Sequence, residues 1–162
     1  MIINEKNINE SIRKIKLFLF DLDGVLLLRK DSSHEELFAC MAEFANKLKS
    51  KNLSAGIITG RTNDPLTKKL ANIDNWEIVT SSFNKVGSVK QLLFKLNLGF
   101  DNVLYIGDDM LDIPLLQKVG VAIAPSSARR EVKRVVDIII DVDKNKSILQ
   151  YVINLIDELK DE

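Results

Sequence analysis

Short apolar runs at residues 16–21, 53–58, 76–79, 102–106, 120–124 and 137–140 recur along the chain, with amphipathic stretches between them. This alternation limits the fold more than any other feature. Runs this short, dominated by Leu, Ile, Val and Phe, fit strands that are covered on both faces. Strands alternating with helical patterns predict a parallel sheet with helices packed on each side. The expected fold class is α/β: a three-layer α/β/α, Rossmann-like arrangement around a mostly parallel six-stranded sheet.

The intervening segments read as helices. Ser33 and Glu36 have capping-box spacing and open a helix over 34–51, with apolar residues at 37, 38, 41, 44, 45 and 48 along one face. Asn63 or Asp64 can cap the next helix, with Pro65 at a first-turn position. Further helices are expected over 85–96, 111–118, 128–134 and 146–159. The first 14 residues are expected to form a short helix or tail outside the sheet. No repeat, linker or inserted segment stands out. Residues 1–162 are therefore expected to be one domain without a cap, whose longest irregular stretch is 22–33.

Composition removes several function classes. The 23 basic and 23 acidic side chains cancel, so charge gives no argument for nucleic acid or an anionic membrane as a partner. The single cysteine, Cys40, excludes an internal disulfide and a cysteine-rich zinc site. Among Leu37, Phe38, Met41 and Phe44 it reads as a small core hydrophobe. No apolar run approaches the roughly 20 residues of a membrane-spanning helix. Residues 1–14 lack a signal-peptide core, and a cytoplasmic location is the default expectation.

Chemistry gathers where the strands end. Asp21 and Asp23 follow the first strand, Thr59 the second, Lys85 the third, and Gly107, Asp108 and Asp109 the fourth. In an open α/β sheet, ligands bind at the carboxyl ends of the strands. Asp21, Asp23, Asp108, Asp109 and Asp112 would crowd negative charge into one crevice, so they must protonate or hold a cation. Their all-oxygen chemistry favours a hard ion, and a phosphate partner favours Mg²⁺.

Asp21 is then placed to attack phosphorus, and Asp23 to protonate the leaving alkoxide and later activate water. Gly24 allows a sharp turn beneath the phosphate. Thr59 offers a hydroxyl, Gly60 an amide and Lys85 a point charge to phosphate oxygens. Taken singly, each motif also has a bland reading: turn carboxylates, a turn leading into a helix, a solvated lysine, acidic helix caps. Their order, each at a strand end, argues for a site.

These residues resemble the haloacid dehalogenase-like superfamily. The matching strings are Asp21-Leu22-Asp23-Gly24-Val25-Leu26, Ile57-Ile58-Thr59-Gly60-Arg61, Asn84-Lys85 and Gly107-Asp108-Asp109-Met110-Leu111-Asp112. Within it the chain looks most like the capless phosphatases of 3-deoxy-manno-octulosonate 8-phosphate, over residues 16–140. The resemblance implies a Mg²⁺-dependent phosphomonoester hydrolase with an aspartyl-phosphate intermediate, acting on a small phosphorylated sugar or sugar acid.

It also implies Asp21 as nucleophile, Asp23 as acid/base, and metal ligation by the Asp21 carboxylate, the Asp23 main-chain carbonyl and Asp108. Asp109 or Asp112 would act through water or orient those ligands. Arg61 would contact a substrate carboxylate or phosphate, or pair with a nearby Asp. A homotetramer is implied as well. Two segments depart from the family: 27–33 is shorter than its glycine-containing flap, and 157–162 reads as a charged helix end.

Other readings fit less well. A receiver domain places its acidic pair after the first strand and its phosphorylated Asp after the third, the reverse of this order. The string 141–145 lacks the glycine and final glutamate of a calcium loop. A Ser-His-Asp hydrolase is disfavoured because the only histidine, His34, begins a helix as a solvated residue and no Gly-x-Ser-x-Gly occurs. A catalytically weak binding or scaffold protein of the same fold would have lost a motif residue, and none is lost. A phosphatase for a different small phosphate ester remains the other alternative.

Overall fold

The computed structural model describes residues 5–28, 34–142 and 147–158. Strands β1 (Leu17–Phe20), β2 (Ser54–Ile58), β3 (Trp76–Val79), β4 (Val103–Ile106), β5 (Val121–Pro125) and β6 (Ile138–Ile140) form one sheet in the order β3-β2-β1-β4-β5-β6. Every pairing is parallel. The helices are α1 (Glu5–Arg13), α2 (His34–Lys49), α3 (Pro65–Leu70), α4 (Lys85–Leu96), α5 (Ile113–Leu116), α6 (Arg130–Lys133) and α7 (Ile148–Glu158). This is the expected three-layer arrangement. The 21–33 connection after β1 is too short to hold a cap domain.

Alternation along the strands divides the core in two, because successive side chains point to opposite faces. Phe18, Phe20, Leu104, Ile106, Val121 and Ile123 meet Met41 and Phe44 of α2, Leu66 and Leu70 of α3, and Val152 and Ile156 of α7. On the other face, Leu17, Leu19, Val103, Tyr105, Ala122 and Ala124 pack against Val89, Leu92 and Leu93 of α4, Leu115 and Leu116 of α5, and Val132 of α6. The first cluster holds an aromatic group: Phe44 lies against Phe18, Phe20 and Trp76, with ring centroids 5.6–6.3 Å apart. The Trp76 indole N–H donates to the Met41 carbonyl at 2.8 Å, tying α2 to β3.

Caps explain several boundaries. Asp64 rather than Asn63 starts α3, accepting from the Thr67 amide at 2.8 Å while the Thr67 hydroxyl accepts from the Asp64 amide. Asn84 caps α4 through the Gly87 amide at 3.0 Å. The α4 helix ends at the left-handed residue Asn97, φ 57°. Helix α1 contributes Ile12 to the core, so part of the first 14 residues is a packed helix.

Three expectations change. The helix over 111–118 resolves into a 3₁₀ turn, Met110–Asp112, followed by the short α5; Pro114 has no amide to give to a continuing ladder. The helix over 128–134 shortens to α6. Cys40 is exposed rather than buried. The buried stripe of α2 is Met41, Phe44, Ala45 and Leu48, and Cys40 lies roughly a quarter turn from its centre. His34 is exposed, as expected. Residues 29–33, which include the Ser33 cap and most of the shortened flap, lie outside the described residues, as do 143–146 and 159–162.

Phe44→Ala would empty the centre of the aromatic group. The expected loss is about 3–5 kcal/mol, read as a lower urea midpoint with little change in slope.

Candidate active site

The strand order places β1 and β4 side by side at the point where the chain turns to opposite halves of the sheet. Crevices open at such points, beyond the carboxyl ends of the strands. In register Phe20 pairs with Ile106, and the Asp21 amide donates to the Ile106 carbonyl at 2.9 Å. Asp21 and Gly107-Asp108 therefore leave the sheet together. The loop after β1 is anchored by Leu22 and Val25, both fully buried, and closed by the Leu27 amide on the Leu22 carbonyl at 2.9 Å.

Gly24 occupies the turn with φ 81°, and a Cβ there would collide with the Asp108 carboxylate. A residue with a side chain is thus barred twice, by backbone conformation and by space. Gly107 is similarly confined, since an added Cβ would lie 2.7 Å from Asp112 Cβ.

Carboxylate oxygens of Asp21, Asp108 and Asp112 all lie within 4.8 Å of one another. Lys85, the first residue of α4, is buried beside them. Its Nζ is 2.6 Å from Asp112 Oδ1 and 3.2 Å from Asp21 Oδ1. Asp112 is fully buried and saturated. Its Oδ1 accepts from Lys85 and from the Tyr105 hydroxyl, each at 2.6 Å. Its Oδ2 accepts the amides of Asp108 and Asp109 at 3.0 and 3.1 Å. Asp112 therefore orients Lys85 and the 108–109 turn, and Asp21 and Asp108 are the carboxylates left to meet a ligand.

Three acids against one ammonium leave the pocket with excess negative charge. Burial, then the nearby Asp112 charge, push the Asp21 carboxyl up to about 8, with Lys85 pulling the other way. Burial and Asp112 also raise Asp108. Asp112 ends below the usual range despite its burial, because Lys85 and Tyr105 favour its charged form. Burial works against the Lys85 ammonium, yet the charges of Asp21 and Asp112 outweigh it and its pKa is raised. Both shifts disfavour the charged forms of Asp21 and Asp108, a cost that a bound cation would offset. An all-oxygen donor set with this surplus charge fits Mg²⁺.

The remaining expected residues divide. Asp23 is half exposed and gripped by Arg61, whose Nη2 and Nε donate to its two oxygens at 2.7 and 2.8 Å. Arg61 Nη1 also donates to Asp64 at 3.2 Å. Arg61 thus pairs with a nearby Asp, one of the two roles left open for it, and the hydrogen bonds to Asp23 raise its pKa.

Thr59 is buried at the same sheet edge, but its hydroxyl accepts from the Arg61 amide at 3.1 Å. Gly60 is not sterically forced, since an added Cβ would make only ordinary contacts. Asp109 lies at the rim, its carboxylate accepting from the Met110 amide at 2.6 Å and 3.4 Å from Arg129 Nε.

Tyr105 was hidden in the sequence by its place in an apolar strand. The one available signal was a hydroxyl at a position whose neighbours are all buried aliphatics. Arg129, whose amide donates to the Asp108 carbonyl at 3.3 Å, carried no motif at all.

A family model described as haloacid dehalogenase-like hydrolase matches residues 66–152. A 120-residue stretch is 32% identical to the 3-deoxy-D-manno-octulosonate 8-phosphate phosphatase of Salmonella typhi, covering 70% of this chain and 64% of that protein. The chain thus matches just under two thirds of that relative's length. A phosphoglycolate phosphatase of Methanopyrus kandleri is 32% identical over 65 residues, 40% of this chain and 28% of that protein.

Among solved structures, the 3-deoxy-D-manno-octulosonate 8-phosphate phosphatase of Moraxella catarrhalis, in complex with magnesium, phosphate and KDO, has a TM-score of 0.72 at 23% identity. That match covers 84% of this chain and 82% of the other. The Yersinia pestis enzyme has a TM-score of 0.70 at 20% identity, covering 83% and 76%. These likenesses bear on the fold.

The raised Asp21 pKa has a stability consequence. A carboxyl that binds its proton more tightly when folded stabilises the fold below the unfolded value of 3.8 and loses that contribution as pH rises through about 8. Asp21→Asn is therefore expected to raise the melting temperature of the metal-free protein by on the order of a few degrees. The advantage should be absent near pH 4, grow with pH, and level off above about 8, as followed by calorimetry in chelator.

Proposed function

Since the chain belongs to the haloacid dehalogenase-like hydrolases, we propose that it is a Mg²⁺-dependent phosphomonoester hydrolase that uses Asp21 as nucleophile. The observation that carries this reading is the meeting of Asp21, Asp108 and Lys85 at one sheet edge, with Asp21–Lys85 at 3.2 Å. Asp21 and Asp108 carboxylates, with the Asp23 main-chain carbonyl, would hold the metal. When bound, Mg²⁺ supplies positive charge to the phosphoryl oxygens and offsets the surplus charge of the carboxylates.

The chain's own groups do the rest. The Leu22 amide, 2.8 Å from Asp21 Oδ1, and Lys85 hold the Asp21 carboxylate in one orientation. An Asp21 oxygen forms a bond to phosphorus as the ester P–O bond breaks, and Asp23 gives a proton to the departing alkoxide. Asp23 then takes a proton from water, whose oxygen attacks the aspartyl phosphate. The Asp21–phosphorus bond breaks, inorganic phosphate leaves and the carboxylate is regenerated.

Lys85 would stabilise charge on the phosphoryl oxygens throughout, and Gly24, Thr59 and Gly60 would contribute to binding the phosphate. Arg61 holds both oxygens of Asp23, at 2.7 and 2.8 Å, and so fixes the orientation of that carboxylate. Asp109 and Asp112 orient the 108–112 turn.

A phosphorylated sugar or sugar acid, such as 3-deoxy-manno-octulosonate 8-phosphate, is the substrate class we favour. Support comes from the named relatives and from the crevice, over which the described residues place no cap. A small non-sugar ester is the second reading, favoured by the phosphoglycolate phosphatase likeness.

Wild-type protein should hydrolyse an aryl phosphate only with Mg²⁺, and chelator should abolish turnover. Asp21→Asn should lower kcat by about 10³-fold or more, and equal rates in the variant and wild type would remove Asp21 from its role. On a panel of phosphorylated sugars, sugar acids, phosphoglycolate and nucleotides, kcat/KM should be highest for an acidic sugar phosphate. A nucleotide preference would defeat that substrate class.

A further inference from the structure

Among the described residues Tyr105 is the largest fully buried side chain, and it faces the α4 and α5 side of the sheet among aliphatic residues. A hydroxyl in such a place needs partners. It has two, and both belong to the crevice: it donates to Asp112 Oδ1 at 2.6 Å and accepts from Lys85 Nζ at 3.2 Å.

The Lys85 ammonium has three protons and three neighbours, namely Asp112 at 2.6 Å, Asp21 at 3.2 Å and Tyr105 at 3.2 Å. With each proton directed, the ammonium has no freedom to swivel. The Tyr105 proton also occupies Asp112 Oδ1, the very oxygen that draws Lys85 most strongly. Without that proton the shorter of the two ion pairs would strengthen and pull Lys85 away from Asp21.

We propose that Tyr105 is a positioning residue of the phosphatase reaction: its hydroxyl divides Lys85 between Asp112 and Asp21 and so holds the ammonium where a phosphoryl group on Asp21 would meet it. This rests on the reading of Asp21 as nucleophile. No motif includes Tyr105, and its ring fills the core whether or not the hydroxyl is present. The role of the hydroxyl is therefore separable from packing.

The test is Tyr105→Phe, which keeps the ring. Mg²⁺-dependent hydrolysis of an aryl phosphate and inhibition by orthovanadate, a mimic of the phosphoryl group in flight, are measured per folded molecule. The expected result is kcat lower by roughly 10- to 100-fold and vanadate affinity lowered in parallel. The Mg²⁺ concentration for half-maximal rate should stay within about twofold, since the Tyr105 hydroxyl bonds to neither Asp21 nor Asp108. A purely structural role would instead lower the melting temperature and leave both kcat per folded molecule and vanadate affinity at wild-type values, which would overturn the proposal.

A double-mutant cycle with Lys85→Met gives a second reading. If Tyr105 acts through Lys85, removing the hydroxyl in the Lys85→Met background changes vanadate affinity little; a full additional loss would also overturn it. A wild-type protein with no Mg²⁺-dependent hydrolysis would defeat the nucleophile reading and the proposal together, whereas an active wild type with an unaffected Tyr105→Phe would defeat the proposal alone.

Discussion

Lys85 faces three carboxylates from a position only 6% exposed, and the arrangement of the crevice follows from that imbalance. Coulomb attraction beats the cost of burying the ammonium because two of the acids touch it. It cannot satisfy all three. Asp112, fully buried and given four hydrogen bonds, takes the larger share and becomes a fixed part of the scaffold. Asp21 and Asp108 are left without matching positive charge, and burial together with the Asp112 charge raises both of their pKa values. A protein selected for stability alone would remove such a surplus. Such a surplus at a strand edge fits a place that receives positive charge from outside, and carboxylates receive a divalent cation readily.

The sheet makes that concentration of charge tolerable. Two apolar clusters hold the strands from both faces, so their carboxyl ends are rigid. Rigid ends let polar side chains be held close without collapsing onto one another. The loop carrying Asp23 and Gly24 is not left to solvent either; Leu22 and Val25 are sunk into the core on each side of it. At Gly24 the β1 loop lies against the β4 loop, and the lack of a side chain is what allows Asp108 to sit against the turn.

The mouth of the crevice has a different character. Asp23 and Arg61 form a two-pronged pair near its rim, and Arg61 is braced by Asp64, itself the cap of α3. The position of the proposed acid/base is thus linked to the start of a helix two elements away. Phe83, Met110 and Leu111 are exposed on the segments that flank Lys85 and Asp112. The interior of the site is polar and over-determined, and among the described residues its surroundings are partly apolar.

Much of this is legible in the sequence itself. Strand and helix periodicities, the cap before Pro65 and the order of the polar residues after each strand are local properties, written within a few residues of one another. They determined an α/β sheet and the identities of Asp21, Lys85 and Asp108. What the tertiary structure alone decided are relations between residues far apart in the chain. The order β3-β2-β1-β4-β5-β6 brings Asp21 beside Asp108. The alternation of β4 turns Tyr105 toward Lys85, and the rotation of α2 leaves Cys40 outside the core. Arg61 met Asp23 across 38 positions of sequence. Such contacts have no local signature, because a hydrogen bond between distant segments depends on how strands are ordered and which face each side chain takes, and neither is encoded at the residues that finally touch.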